Sequence, residues 1–208
     1  MELDPAAVIW SAPERERADR PLLVLLHGYA SHEGDLFQLS PRLPLGFVIA
    51  SVRAPIAESR GWAWFSLAER GVGEPHDREV ADATNALLRW LDGLPVFSST
   101  SLLGFSQGAV VALEAIRLMP ERFRSITALS GFVAAGGANG DDRLTELRPP
   151  VFWGRGTLDT LIPASAVERT DAWLPSHSSA TIRIYENMGH SVSSDELTDI
   201  TAFLRDHG

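Results

Sequence analysis

The sequence predicts an α/β fold built on a mostly parallel central sheet with helices on both faces. Three observations carry this. Short apolar runs alternate with segments of helical period along the chain, the order that parallel strands and crossover helices require. Two of these runs, 21–26 and 46–52, show no polar alternation, so both of their faces are covered. A third run, 101–105, enters the helical segment 107–118 through Gly104-Phe105-Ser106-Gln107-Gly108. A strand that becomes a helix within two residues needs a strained corner with no side chains beside it, which the flanking glycines supply.

Composition sets the limits. With 208 residues and 45% hydrophobic content, residues 1–208 suffice for one ordinary core and are expected to form a single domain. A net charge of -9, spread along the chain, argues against a nucleic-acid or anionic-membrane partner and for a small molecule. There is no cysteine, which excludes disulfides, thiol nucleophiles and thiolate metal sites. All 18 basic residues are arginine, so Ser-Lys dyads, Schiff bases and P-loop lysines are excluded as well. Residues 1–10 carry Glu2 and Asp4 and lack the basic start and apolar core of a secretory signal. No apolar run approaches bilayer-spanning length, so the expectation is a cytoplasmic protein without membrane insertion.

Taken in order, 7–11 reads as an edge strand and 13–20 as a charged turn before the first buried strand. That strand stops at His27-Gly28. Residues 35–43 read as a short helix or turn ended by Pro41 and Pro44, and strand 46–52 closes at Arg53-Ala54-Pro55. Residues 56–75 have no regular period but hold Trp62, Trp64 and Phe65, so they read as an aromatic-rich loop. The helix 77–91 puts Val80, Thr84, Leu87, Leu88 and Leu91 on one stripe, and Gly93 and Pro95 end it. The helix after Ser106 is apolar nearly all round, with Glu114 and Arg117 expected to look out. A buried strand at 125–132 leads into a glycine-rich loop at 136–140. Strand 150–153 then runs into Gly156-Thr157-Leu158-Asp159, and Pro163 opens a helix to 174. The last strand is 180–185, and the last helix, 193–205, is capped by Ser193 or Ser194 with acids in its first turn.

Ser106, held out at the carboxyl edge of the sheet, is the candidate nucleophile. Its hydroxyl needs a base, and the base needs an acid to orient it. All three must lie where strands feed into their following helices. Of the histidines after the elbow, His177 precedes its strand and His207 ends a helix, leaving His190 as the candidate base. Asp159, in a tight turn between strand and helix, is preferred as the acid over Asp141 and Asp142, which follow a glycine-rich loop. The order serine, aspartate, histidine suits this architecture. The backbone amides of Gln107 and of Tyr29, in the loop after the first buried strand, are the candidate donors to an oxyanion.

Six segments carry a resemblance: Leu26-His27-Gly28-Tyr29, Arg53-Ala54-Pro55, Ala63-Trp64-Phe65, Gly104 to Gly108, Gly156 to Pro163, and Met188-Gly189-His190-Ser191-Val192. Together, and in this order, they resemble the phospholipase/carboxylesterase group of α/β-hydrolases over nearly the whole chain. The resemblance implies a serine esterase with Ser106, Asp159 and His190 as its triad. It would cut carboxylic esters or thioesters through an acyl-enzyme without a cofactor, and it would join a group in which homodimers are common. Tyr29 and Arg155 stand where the group usually has leucine and often has histidine.

No insertion is long enough for a substantial lid, so an open site is expected. Trp64, Phe65, Leu161, Ile162 and Val192, with Tyr29 and Trp62, are the candidate walls of an apolar pocket suited to short-chain or aryl esters. An acyl thioesterase or lysophospholipase is the nearest alternative, and a non-catalytic small-molecule binding protein is the alternative from another class. His27, His32, Glu33 and Asp35 are close in sequence but fit no ligand spacing, so no metal is expected.

Overall fold

The computed structural model describes residues 1–58, 60–67 and 71–208. Residues 59 and 68–70 of the predicted aromatic-rich loop lie outside the described residues. Seven strands form the main sheet: β1 (Val8–Trp10), β2 (Pro21–Leu26), β3 (Val48–Val52), β6 (Ser99–Phe105), β7 (Ile126–Leu129), β8 (Pro150–Gly156) and β9 (Ser179–Tyr185). A small hairpin of β4 (Ile56–Glu58) and β5 (Gly61–Ala63) stands apart from it. The helices are α1 (Glu33–Phe37), α2 (Asp77–Asp92), α3 (Gln107–Leu118), α4 (Asp141–Leu147), α5 (Ala164–His177) and α6 (Ser194–His207).

The strand order is β1-β3-β2-β6-β7-β8-β9, and only the edge pair β1 with β3 is antiparallel. The α/β class and the mostly parallel sheet predicted from the sequence are therefore present. Within β2 the alternation of side chains sorts the core into two layers. Leu22, Val24 and Leu26 join α2 and α3 on one face, while Leu23 and Leu25 meet α1 and α6 on the other. Both layers are closed to water, which explains why the run carries no polar residue. No helix among the described residues is long and apolar enough to cross a membrane.

Three expectations are corrected. Residues 56–58 and 61–63 pair as the hairpin, whose strands of three residues are too short to show a period. The glycine-rich loop gives way to α4 directly after Gly140, with Asp141 and Asp142 in its first turn. Arg117 does not look out: its side chain is 2% exposed. The segment that follows β7 wraps over it, and its guanidinium bonds both oxygens of Asp141 at 3.0 and 2.8 Å, Glu114 at 2.9 Å and the Gly136 carbonyl at 2.6 Å. A buried guanidinium persists because its donors are satisfied and its charge is matched.

Candidate active site

Ser106 sits between β6 and α3 with φ 54° and ψ -117°, a conformation that costs a non-glycine residue roughly 1–3 kcal/mol. The surroundings hold it there. Its amide donates to the Leu129 carbonyl at 2.9 Å, and its own carbonyl accepts from Ala109 and Val110 at 3.0 and 3.2 Å. The glycines on either side are a packing requirement: a Cβ on Gly108 would lie 2.0 Å from the Leu26 carbonyl oxygen, and one on Gly104 2.2 Å from that of Gly108. The corner thus presses against β2, beside the loop that carries Tyr29.

Asp159 and His190 arrive from the loops after β8 and β9, the two strands on the far side of β7. His190 Nδ1 lies 2.8 Å from Asp159 Oδ2, and the other carboxylate oxygen accepts from the Leu161 and Ile162 amides at 3.1 and 3.4 Å. Burial works against the Asp159 charge, but the His190 bond and charge with the two amides outweigh it and hold the carboxyl below its ordinary range. An ionised acceptor at Oδ2 places the imidazole proton on Nδ1 and leaves the Nε2 lone pair available as a base. The Phe105 ring packs on His190 with centroids 4.8 Å apart, fixing the plane of the imidazole. Asp141, weighed as an alternative acid, is committed to Arg117 instead.

The loop after β2 is anchored through His27. Its Nε2 accepts from the Ala54 amide at 3.0 Å, so Nδ1 carries the proton and donates to the Gly28 carbonyl at 2.7 Å. Burial dominates its surroundings and lowers its pKa, favouring the neutral ring that this arrangement needs. Gln107 opens α3, where a first-turn amide has no intrahelical acceptor.

Ser106, His190 and Gln107 line one cavity of about 330 Å³ together with Tyr29, Phe65, Leu161 and Ile162. Trp64 and Val192, also predicted to wall it, do not. Trp64 is fully buried with its indole N–H bonded to the His27 carbonyl at 2.8 Å, and Val192 packs on the core layer beneath α6. Trp62 stacks against the Arg53 guanidinium rather than lining the cavity. Leu67, Val72, Val110 and Phe132 take their place in the walls, and Ser31 and Asp35 add a polar rim. Of these, Phe132 has a positional signal, since it ends the strand predicted at 125–132, and Val110 has one in lying on the first turn after the elbow. Glu33 pairs with Arg53, and no group of three or more His, Asp or Glu among the described residues is arranged to hold a metal ion.

Comparison with known proteins identifies the family. The model of the Phospholipase/Carboxylesterase family matches residues 7–208. Acyl-protein thioesterase 1 of Candida albicans is 24% identical, with 93% of this chain and 94% of that protein aligned. Esterase YpfH of Escherichia coli is 26% identical over 91% of this chain and 83% of its own length. Among solved structures, esterase PE8 superposes with a TM-score of 0.80 at 28% identity, covering 100% of both chains.

Proposed function

The chain belongs to the phospholipase/carboxylesterase family, and from that premise we propose that it is a serine carboxylesterase acting on short-chain or aryl esters through an acyl-enzyme on Ser106. That it is a hydrolase of the ester and thioester class follows from the family and its relatives. The finer reading is supported above all by one observation: His190, hydrogen-bonded to Asp159 at 2.8 Å, lines the same cavity as Ser106.

In the proposed reaction His190 Nε2 takes the Ser106 proton as Oγ forms a bond to the ester carbonyl carbon. The carbonyl π electrons move to oxygen, where the Tyr29 and Gln107 amides receive the negative charge. Each such fixed donor is worth about a hundred- to a thousandfold in rate. The intermediate collapses, the C–O bond to the alcohol breaks, and His190 returns its proton to the leaving oxygen. Water then repeats the sequence on the acyl-enzyme, releasing the acid and restoring Ser106. Asp159 stays ionised throughout and stabilises the imidazolium.

The preference for small acyl groups rests on a cavity near the lower end of the range for small-molecule sites, walled by Phe65, Val110, Phe132 and Ile162. A second reading, acyl thioester hydrolysis, is favoured by the acyl-protein thioesterases among the relatives. The test is hydrolysis of p-nitrophenyl esters from short to long acyl chains by the wild type and by Ser106→Ala, with matched thioesters alongside. Turnover should peak at short chains and vanish in the variant. A long-chain optimum overturns the substrate preference, faster thioester cleavage selects the second reading, and turnover that survives Ser106→Ala overturns the nucleophile.

A further inference from the structure

In the proposed reaction Gln107 offers its backbone to the oxyanion, yet the residue is 4% exposed and its side chain holds two hydrogen bonds away from the helix it begins. Oε1 accepts from the Trp64 amide at 3.0 Å, and Nε2 donates to the Phe65 carbonyl at 2.7 Å. The partners fix which end of the carboxamide is which, because an amide N–H cannot accept and a carbonyl cannot donate. In effect the side chain pairs with residues 64 and 65 as a neighbouring strand would.

That pairing closes a circuit. The Trp64 indole N–H donates to the His27 carbonyl at 2.8 Å, and His27 holds the Gly28 and Ala54 backbones. The Trp62 amide donates to the Ser31 carbonyl at 2.8 Å. At Gly61, a Cβ would lie 2.4 Å from the Ala30 carbonyl oxygen, so the hairpin sits directly on the loop carrying Tyr29. The two candidate oxyanion donors therefore come from separate segments, the elbow and the loop after β2. Residues 61–65 bridge them, and Gln107 is the side chain by which the elbow grips that bridge. The same grip holds Phe65, whose ring walls the cavity.

We infer that the Gln107 side chain is a positioning residue that sets the spacing of the two oxyanion donors and holds the Phe65 wall in register with Ser106. This rests on the serine-esterase reading. Electrostatic stabilisation of a developing oxyanion depends on donors held at fixed places before charge appears. A side chain that ties one donor's segment to the other's therefore acts on kcat more than on substrate binding, and through Phe65 on acyl selectivity.

Two variants test it, with kcat and KM measured from pH 5.5 to 9 across the ester series. Gln107→Met keeps the length of the side chain and removes both bonds. It should lower kcat by about 10- to 100-fold, short of losing a donor outright, with KM for the shortest ester changed less than about threefold and the chain-length optimum flattened. Gln107→Glu is the sharper case. Ionised, it sets a carboxylate oxygen against the Phe65 carbonyl; protonated, it regains a donor there and still accepts from Trp64. Dividing by the wild-type rate at each pH cancels the pH dependence the two enzymes share, and the ratio of Gln107→Glu to wild type should rise as pH falls. Low pH should restore the variant to within about threefold of wild type once its donor returns.

Because a buried carboxylate also adds charge, the uncharged Gln107→Met separates loss of the two bonds from the effect of that charge. A flat ratio, or wild-type kcat and chain-length profile in Gln107→Met, overturns the inference. If Gln107→Met does not fold, a flat pH ratio of Gln107→Glu still overturns it. Ser106→Ala run in parallel separates the two levels: turnover surviving in it overturns the underlying esterase reading, while its loss beside a flat ratio overturns only the role of Gln107.

Discussion

Glu196 offers the most quantitative test of the packing described here. It stands in the first turn of α6, behind the Ser193 cap, yet it is 0% exposed, and neither carboxylate oxygen has a hydrogen-bond partner among the described residues. The carboxyl lies on β8, where a Cβ at Gly154 would be 2.2 Å from Oε1. The Ser193 N–H pulls the pKa down without forming a bond of normal geometry, and Asp199 on the same helix pushes it up. Burial prevails and raises the Glu196 carboxyl from 4.5 to about 7. A pKa raised on folding gives stability that is complete below about pH 4.5, declines as the unfolded chain ionises, and is lost above about pH 7. At about 1.4 kcal/mol for each pH unit, the loss amounts to about 3 kcal/mol. Glu196→Gln removes this dependence while adding the constant cost of a buried carboxamide, so the informative quantity is how the stability difference between variant and wild type changes with pH. Working between pH 5.5 and 8.5, clear of the pI near 5.1, the variant should gain about 2 kcal/mol on the wild type, or about 4–8 °C in Tm. Urea unfolding at both pH values measures it. Stability curves that run parallel in pH would refute the reasoning and mean that Glu196 is paired or hydrated.

Two further outcomes bear on the site and its support. Asp159→Asn preserves the shape of the turn but no longer presents an anion to His190 Nδ1, so ester kcat should fall by about 10⁴ with KM little altered; a drop smaller than tenfold would show that another group orients His190. Arg117→Met leaves Glu114 and Asp141 facing each other half-buried, and should cost about 3 kcal/mol in urea unfolding with ester turnover per folded molecule unchanged. A cost under about 1 kcal/mol would mean that solvent already screens that cluster.

What could be read from the sequence, and what could not, divides along physical lines. Runs such as 21–26 announce their burial because a strand covered on both faces tolerates no polar side chain, and α2 announces its inner stripe by the 3.6-residue period. Asp159 and His190 were selectable because the chemistry confines a base and its acid to one edge of the sheet, and the chain offers few residues there. The structure sets those two 2.8 Å apart. The hairpin β4–β5 and the short α4 gave no such signal, since three residues show no period and the glycines before α4 argue for a loop. Arg117 was misplaced for a related reason: helical period marks it as outward, and only the later segment 134–141 folding back encloses it.

Trp64 and Phe65 make the sharpest case. Adjacent aromatics in one loop look equivalent in sequence, yet one is locked into the core and the other walls the cavity. What distinguishes them is a pair of hydrogen bonds with Gln107, one accepted from the Trp64 amide and one donated to the Phe65 carbonyl, by a residue distant in sequence whose amide could have served any surface role. Apolar character says that a residue avoids water, not which of two dry places it occupies. That choice is made by directional bonds to buried polar groups, each of which must find a partner. The chemistry of the site is therefore local enough to read in short motifs, while its walls, and the substrates they admit, depend on contacts between segments that no motif contains.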